Sequence, residues 1–287
     1  MKPRFPAVVL GFSPLLAVAL AAHADDPLPV ATRKVFEQNK DSIVWISAVA
    51  KMSFATSDSK APMNIPDEER KFEALGTILD SNGLVVAALS GLDPTRILSG
   101  REVNTPSGRV RIDASATLKE AKIVMPDGTE VPADVVMKDL DLDLAFLKPK
   151  PDSREAKAVT FKPIDLKKSA LGGIADDTVT VMRMDEMFNR QPAVQGGQVV
   201  AVTQKPRPFL RVSGTASGCP TFAMDGRILG ISVNRFSREK PPISVVLPAA
   251  DVLEIADQAK VAKPITVEEP KAKPAEQPAE TKAGGAK

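Results

Sequence analysis

Short apolar stretches, each bounded by turn residues, fill the middle of the chain. Residues 43–49 (Ile-Val-Trp-Ile-Ser-Ala-Val) are the first, and others occupy 75–79, 84–89, 110–118, 122–125, 131–136 and 142–147. A second set lies at 178–184, 198–203, 209–212, 227–233 and 243–247. Short runs rich in Val, Ile, Thr and Phe between Gly, Pro, Asn and Asp clusters predict strands. Asp80-Ser81-Asn82-Gly83, Pro126-Asp127-Gly128 and Asp225-Gly226 each place a glycine where a hairpin needs positive φ. Residues 53–70, polar and carrying Pro62 and Pro66, predict a loop. Helical patterning is confined to the two ends. Residues 31–40 form a short opening helix broken by Asp41-Ser42, and 249–260 put Val252, Leu253, Ile255 and Ala256 at helical spacing. About a dozen short strands at this spacing predict an all-β sandwich or pair of barrels, not a βαβ sheet. The two sets divide near 150–171, among Pro149, Pro151 and Pro163, and share no repeat at the residue level.

The chain ends are different in kind. Lys2 and Arg4 precede an apolar run over 7–22, and Ala22-His23-Ala24 is a small-x-small site before Asp25-Asp26. This predicts a cleavable signal peptide over 1–24 and a secreted or periplasmic mature protein. The run is shorter than the roughly 20 residues of a membrane span, and no cysteine follows to carry a lipid, so no anchor is expected after cleavage. Residues 260–287 are Ala, Pro, Lys and Glu with a Gly-Gly near the end, a composition that predicts a disordered tail. The expected globular domain therefore runs over 25–259.

Composition then removes most chemistry. Among 287 residues there is one histidine, His23, and one cysteine, Cys219. A disulfide framework or a Cys/His metal site cannot be built within one such chain. Cleavage also removes His23, so the mature protein carries no imidazole. The formal charge of +2 falls to zero with loss of Lys2 and Arg4. With no Tyr and one Trp there is no platform for stacking bases, and no nucleic-acid partner is expected. Asp139, Asp141 and Asp143 alternate as on a solvent-facing strand edge, and no calcium loop surrounds them. No metal and no cofactor are expected.

Four segments, in order, resemble the trypsin-like serine proteases, most closely the HtrA-type branch. Residues 75–86 are similar to the family's Gly-rich hairpin leading to its catalytic histidine. Asp141-Leu142-Asp143-Leu144-Ala145-Phe146-Leu147-Lys148 resembles the segment carrying the catalytic aspartate. Ser217-Gly218-Cys219-Pro220-Thr221-Phe222, followed by Asp225-Gly226-Arg227-Ile228-Leu229-Gly230-Ile231, is similar to the nucleophile segment and its continuation. Residues 243–260 resemble the last strand and C-terminal helix. The resemblance implies two six-stranded β-barrels with short N- and C-terminal helices and a site between the barrels. It assigns Ser217 to the nucleophile position and Asp143 to the acid position.

The resemblance fails at the base. The run Ala87-Ala88-Leu89-Ser90-Gly91 places Ser90 where the family has histidine. A hydroxyl is far too weakly basic near neutral pH to take the nucleophile's proton. The oxyanion-hole region, Thr215, Ala216 and Ser217, also departs from the family pattern, with Thr215-Ala216 in place of Gly-Asn. A PDZ domain, usual in the HtrA-type branch, is not expected in the tail. The expectation is an exported, catalytically inactive trypsin-like protein that binds a polypeptide or protein partner. The alternative is an active endopeptidase using Ser217 with a lysine base, since serine–lysine pairs catalyse acyl transfer when burial lowers the lysine pKa. Cys219 without an imidazole to ionise it reads as a small buried hydrophobe.

Overall fold

The structure, a computed structural model, describes residues 27–56, 67–105, 108–237 and 240–265. The expected signal peptide, 1–24, lies outside these residues. Among the described residues no helix is long and apolar enough to cross a membrane.

After helix α1 (Pro27–Asn39), the first barrel is built from β1 (Ile43–Thr56), β2 (Glu68–Ile78), β3 (Val85–Ala88), β5 (Gly108–Val124), β6 (Glu130–Asp139) and β7 (Leu144–Pro149). Their order is β1-β2-β3-β7-β6-β5, and antiparallel pairing of β1 with β5 closes the ring. A short strand, β4 (Glu102–Thr105), extends the far end of β5. The second barrel is closed in the order β10-β13-β12-β11-β8-β9. Its strands are β8 (Asp177–Arg183), β9 (Pro192–Thr203), β10 (Phe209–Val212), β11 (Pro220–Ala223), β12 (Ile228–Arg235) and β13 (Ile243–Pro248). Two helical turns, α2 (Leu89–Leu92) and α3 (Thr95–Leu98), follow β3. A third, α4 (Arg154–Ala158), lies between the barrels in sequence, and α5 (Ala249–Val261) follows β13.

The period-2 rule explains how each barrel fills itself and still meets its neighbour. Along β3, Val85 and Ala87 belong to the core of the first barrel, while Val86 packs into the cluster shared with the second. Strand β7 repeats the division, with Ala145 and Leu147 inward and Leu144 and Phe146 toward Val179, Ile228 and Ile231. Both strands are covered on two faces, which is why they read as unbroken apolar runs. Glycines 83, 128 and 226, at the three expected turns, have φ of 84°, 88° and 88°. Trp45 in β1 crosses the junction and donates its Nε1–H to the Met184 carbonyl at 3.0 Å.

Several element boundaries differ from expectation. Residues 53–56 and 68–70 are strand rather than loop, since Glu68, Glu69 and Arg70 pair with Met52, Lys51 and Ala50. Both faces of that end are solvated, so polar side chains are no obstacle to backbone pairing. The two runs expected at 110–118 and 122–125 form one strand, β5. Glu120 pairs with Val49 and Leu118 with Ala50, so Lys119 is a bulge and not a turn. Strands β4 and β11 are additional, each too short to stand out by periodicity. Helix α5 runs to Val261, and the Ile265 N–H donates to the Val135 carbonyl at 2.8 Å. The rest of the expected tail, 266–287, lies outside the described residues.

Candidate functional site

Four side chains from four segments meet where the barrels face each other. Ser90 sits in the helical turn after β3, where it is 6 % exposed. Asp143 ends the turn from β6 to β7, fully buried, with a left-handed φ of 59°. Ser217 precedes β11, and Asn234 lies near the end of β12. The expected edge of Asp139, Asp141 and Asp143 does not exist, because 140–143 form a turn. There Asp139 Oδ1 accepts from the N–H groups of Asp141 at 3.0 Å and Leu142 at 2.9 Å. This Asx-type turn rotates Asp143 inward, away from the solvent-facing pair.

The Asp143 carboxylate is held by fixed donors. Its Oδ1 accepts from the Ser90 N–H at 2.8 Å, and its Oδ2 accepts from Ser90 Oγ at 2.8 Å and from the Asn234 N–H at 2.9 Å. Arg96 Nε of α3 lies 3.8 Å from Oδ1. Burial outweighs these donors and the nearby cation, and it holds the Asp143 carboxyl above the ordinary aspartate range.

The Asn234 amide occupies the space between the two serines. Its Nδ2 is 3.0 Å from Ser90 Oγ and 3.1 Å from Ser217 Oγ. Ser90 spends its proton on Asp143, so its oxygen is left as an acceptor, and this orients the amide with its NH2 toward both hydroxyls. The chain of contacts therefore runs Asp143, Ser90, Asn234, Ser217. It joins the acid position to the nucleophile position, but a carboxamide nitrogen has no basic lone pair and cannot accept the Ser217 proton. Among the described residues, the Asn234 amide is the one polar partner of Ser217 Oγ, and no lysine nitrogen bonds to it.

The loop that carries Ser217 is pinned to both barrels. Gly218 donates its N–H to the Ser232 carbonyl at 2.7 Å, and its own carbonyl accepts from Thr77 Oγ1 of β2 at 2.7 Å. Thr215 Oγ1 and Ser244 Oγ are 2.9 Å apart, and the Cys219 N–H donates to the Ala216 carbonyl at 3.0 Å. The N–H groups of Thr215, Ala216 and Ser217 meet no acceptor among the described residues. They remain available to solvent or ligand. Gly218 has φ of 83°, and a Cβ there would lie 2.1 Å from the Leu75 carbonyl oxygen. Gly218→Ala is therefore expected to destabilise the fold by about 2–4 kcal/mol, read from urea unfolding. A loss below 0.5 kcal/mol, on the scale of about ±0.5 kcal/mol typical of neutral surface changes, would contradict this packing. Cys219 is fully buried, and burial pushes its thiol well above the ordinary range, so it offers no thiolate.

Three of the site residues foreseen from sequence, Ser90, Asp143 and Ser217, are thus brought into one connected cluster, with Thr215 and Ala216 on its rim. Asn234 and Arg96 were not foreseen. The one signal for Asn234 in the sequence is an amide two residues after Ser232, on the same face of β12. A family model described as a trypsin-like peptidase domain matches residues 75–231, more than half of the chain. No curated protein matches the chain.

Proposed function

The chain belongs to the trypsin-like peptidase domain family, and on that premise we propose that it is an exported, catalytically inactive member that binds an extended polypeptide or protein partner. The observation that carries this reading is the Asn234 amide seated between Ser90 and Ser217 in a chain whose one histidine is His23. Acyl transfer needs a group that takes the serine proton in the transition state, and neither a hydroxyl nor a carboxamide does so near neutral pH. Ser217, Asp143 and Ser90 serve here as a structural knot between the barrels. The signal-like sequence of 1–24 supports export, and the order of the four motifs supports kinship with the HtrA-type branch.

Binding does not require the missing base. Strand β12 pairs with β11 only as far as Ile231; beyond it Ser232 is bonded on that side to Gly218 and Cys219 and the Asn234 N–H to Asp143, so the edge left open to a further strand begins at the Asn234 carbonyl. That edge borders the Ser217 loop and suits strand addition by an extended peptide, whose backbone hydrogen bonds supply affinity without chemistry. Reduced, carboxymethylated α-lactalbumin is expected to bind saturably, equally to wild type and to Ser217→Ala, and to remain intact. Cleavage that depends on Ser217, or no saturable binding at high micromolar concentration, would contradict the proposal.

A further inference from the structure

Next to this cleft is a cavity of about 290 Å³ whose lining is strongly cationic. Arg96, Arg101, Arg111 and Lys240 contribute four positive charges, Phe236 contributes an aromatic face, and the described lining residues include no Asp or Glu. Phe236 directly follows the end of β12, so the cavity begins where the open strand edge stops. Arg96 joins the cavity to the site, since it lines the cavity and its Nε lies 3.8 Å from Asp143 Oδ1.

Arg96 is incompletely satisfied. Its Nη2 donates to the Leu140 carbonyl at 2.6 Å, and its guanidinium stacks 5.1 Å from the Phe236 ring centroid. Its Nε and Nη1 are buried and hydrogen-bond to nothing within the described residues. Buried donors of a charged group left without acceptors carry an unrecovered desolvation cost, so an anion entering the adjacent cavity meets an uncompensated positive charge. Arg111 already faces Asp113 at 4.0 Å, so the unmet demand is centred on Arg96, with Arg101 and Lys240 as exposed lining cations.

We infer that this cavity receives a carboxylate side chain of the polypeptide bound along β12, so that the partner is selected for Asp or Glu at that place. The inference rests on the peptide-binding reading of the cleft. Charge complementarity selects the ligand class, and stacking on Phe236 fixes the Arg96 charge beside the cavity. A single phenylalanine is too little to stack successive bases, which sets an acidic peptide ahead of a nucleic acid.

The test uses four fluorescent probes: an otherwise uncharged ten-residue peptide with two adjacent glutamates, its glutamine twin, triglutamate, and a dT oligonucleotide. Binding is measured by anisotropy to the full chain and to Arg101→Glu/Lys240→Glu, two exposed changes outside the Ser90–Asn234 cluster, with folding checked by circular dichroism. The expected result is about tenfold or greater preference for the glutamate peptide at low salt, shrinking as ionic strength rises. In the double variant the preference is lost or reversed. Equal affinity for the glutamate and glutamine peptides would overturn the carboxylate assignment and leave the peptide-binding cleft standing. Triglutamate binding without any binding of the glutamine peptide would support the cavity and count against the cleft. Tighter binding of the oligonucleotide than of the glutamate peptide would overturn the assignment of ligand class, and no binding of any probe would overturn both readings.

Discussion

Ser90→His combined with Asn234→Ala is expected to give Ser217 a reactivity toward fluorophosphonates that neither change confers alone. The reason is steric before it is chemical. The Asn234 amide lies within 3.0 Å of Ser90 Oγ and 3.1 Å of Ser217 Oγ, so an imidazole grown from position 90 in the single variant meets an occupied site. Removing that amide opens the space, and Asp143 Oδ2, which now accepts from Ser90 Oγ at 2.8 Å, becomes the acceptor for one ring N–H. The other ring nitrogen then faces Ser217 as a base, in the arrangement that orients an imidazole for proton abstraction. General-base catalysis contributes about 10²–10⁴ in rate, and that is the expected gain in labelling rate for the double variant over wild type. Equal labelling of the double variant and Ser90→His would show that Asn234 is not the obstruction.

Loss of Asp143 is expected to have the largest effect on stability. Asp143→Ala strips the acceptor from two backbone N–H groups and the Ser90 hydroxyl, and it leaves Arg96 without its nearest opposite charge. Breaking a buried, charged network of this kind costs about 3–5 kcal/mol. Trp45, the sole tryptophan, bonds across the barrel junction and reports the unfolding by fluorescence. Asp143→Asn keeps the volume and one acceptor, and is expected to cost about 1–2 kcal/mol. Both variants also differ from wild type in their pH dependence, because neither titrates at position 143. The folded carboxyl titrates above its unfolded value, so the folded state binds the proton more tightly. That contribution is fully present below the unfolded aspartate value of about pH 4 and is lost as pH rises through the raised folded value. Wild type should therefore lose stability relative to Asp143→Asn as pH rises from acid toward neutrality. A gap that widens with rising pH would mean that Asp143 is held ionised by its donors.

Much of the fold is legible in the sequence because burial leaves a periodic trace. Strands β3 and β7 show as continuous apolar runs since both faces are covered, and the turns at Gly83, Gly128 and Gly226 show because only positive φ closes them. The 68–70 end of β2 leaves no such trace, being solvated on the faces that periodicity would mark, and β4 is only four residues long. The acid and nucleophile positions are readable because they sit inside motifs of several residues. Asn234 is not, because its partners Ser90 and Ser217 lie 144 and 17 residues away and nothing local constrains an amide at that place in β12. Arg96 is hidden for the same reason. It belongs to a four-residue helical turn, and its importance comes from Asp143, Leu140 and Phe236, which reach it through the fold.

The most direct test of the account is the reaction of the purified, folded wild-type protein with a fluorophosphonate probe, beside Ser217→Ala and a histidine-containing trypsin-like protease. Wild type is expected to label no more than Ser217→Ala while the protease standard labels fully. Labelling of wild type that disappears in Ser217→Ala would show that Ser217 is activated and that the chain is a working enzyme with another base.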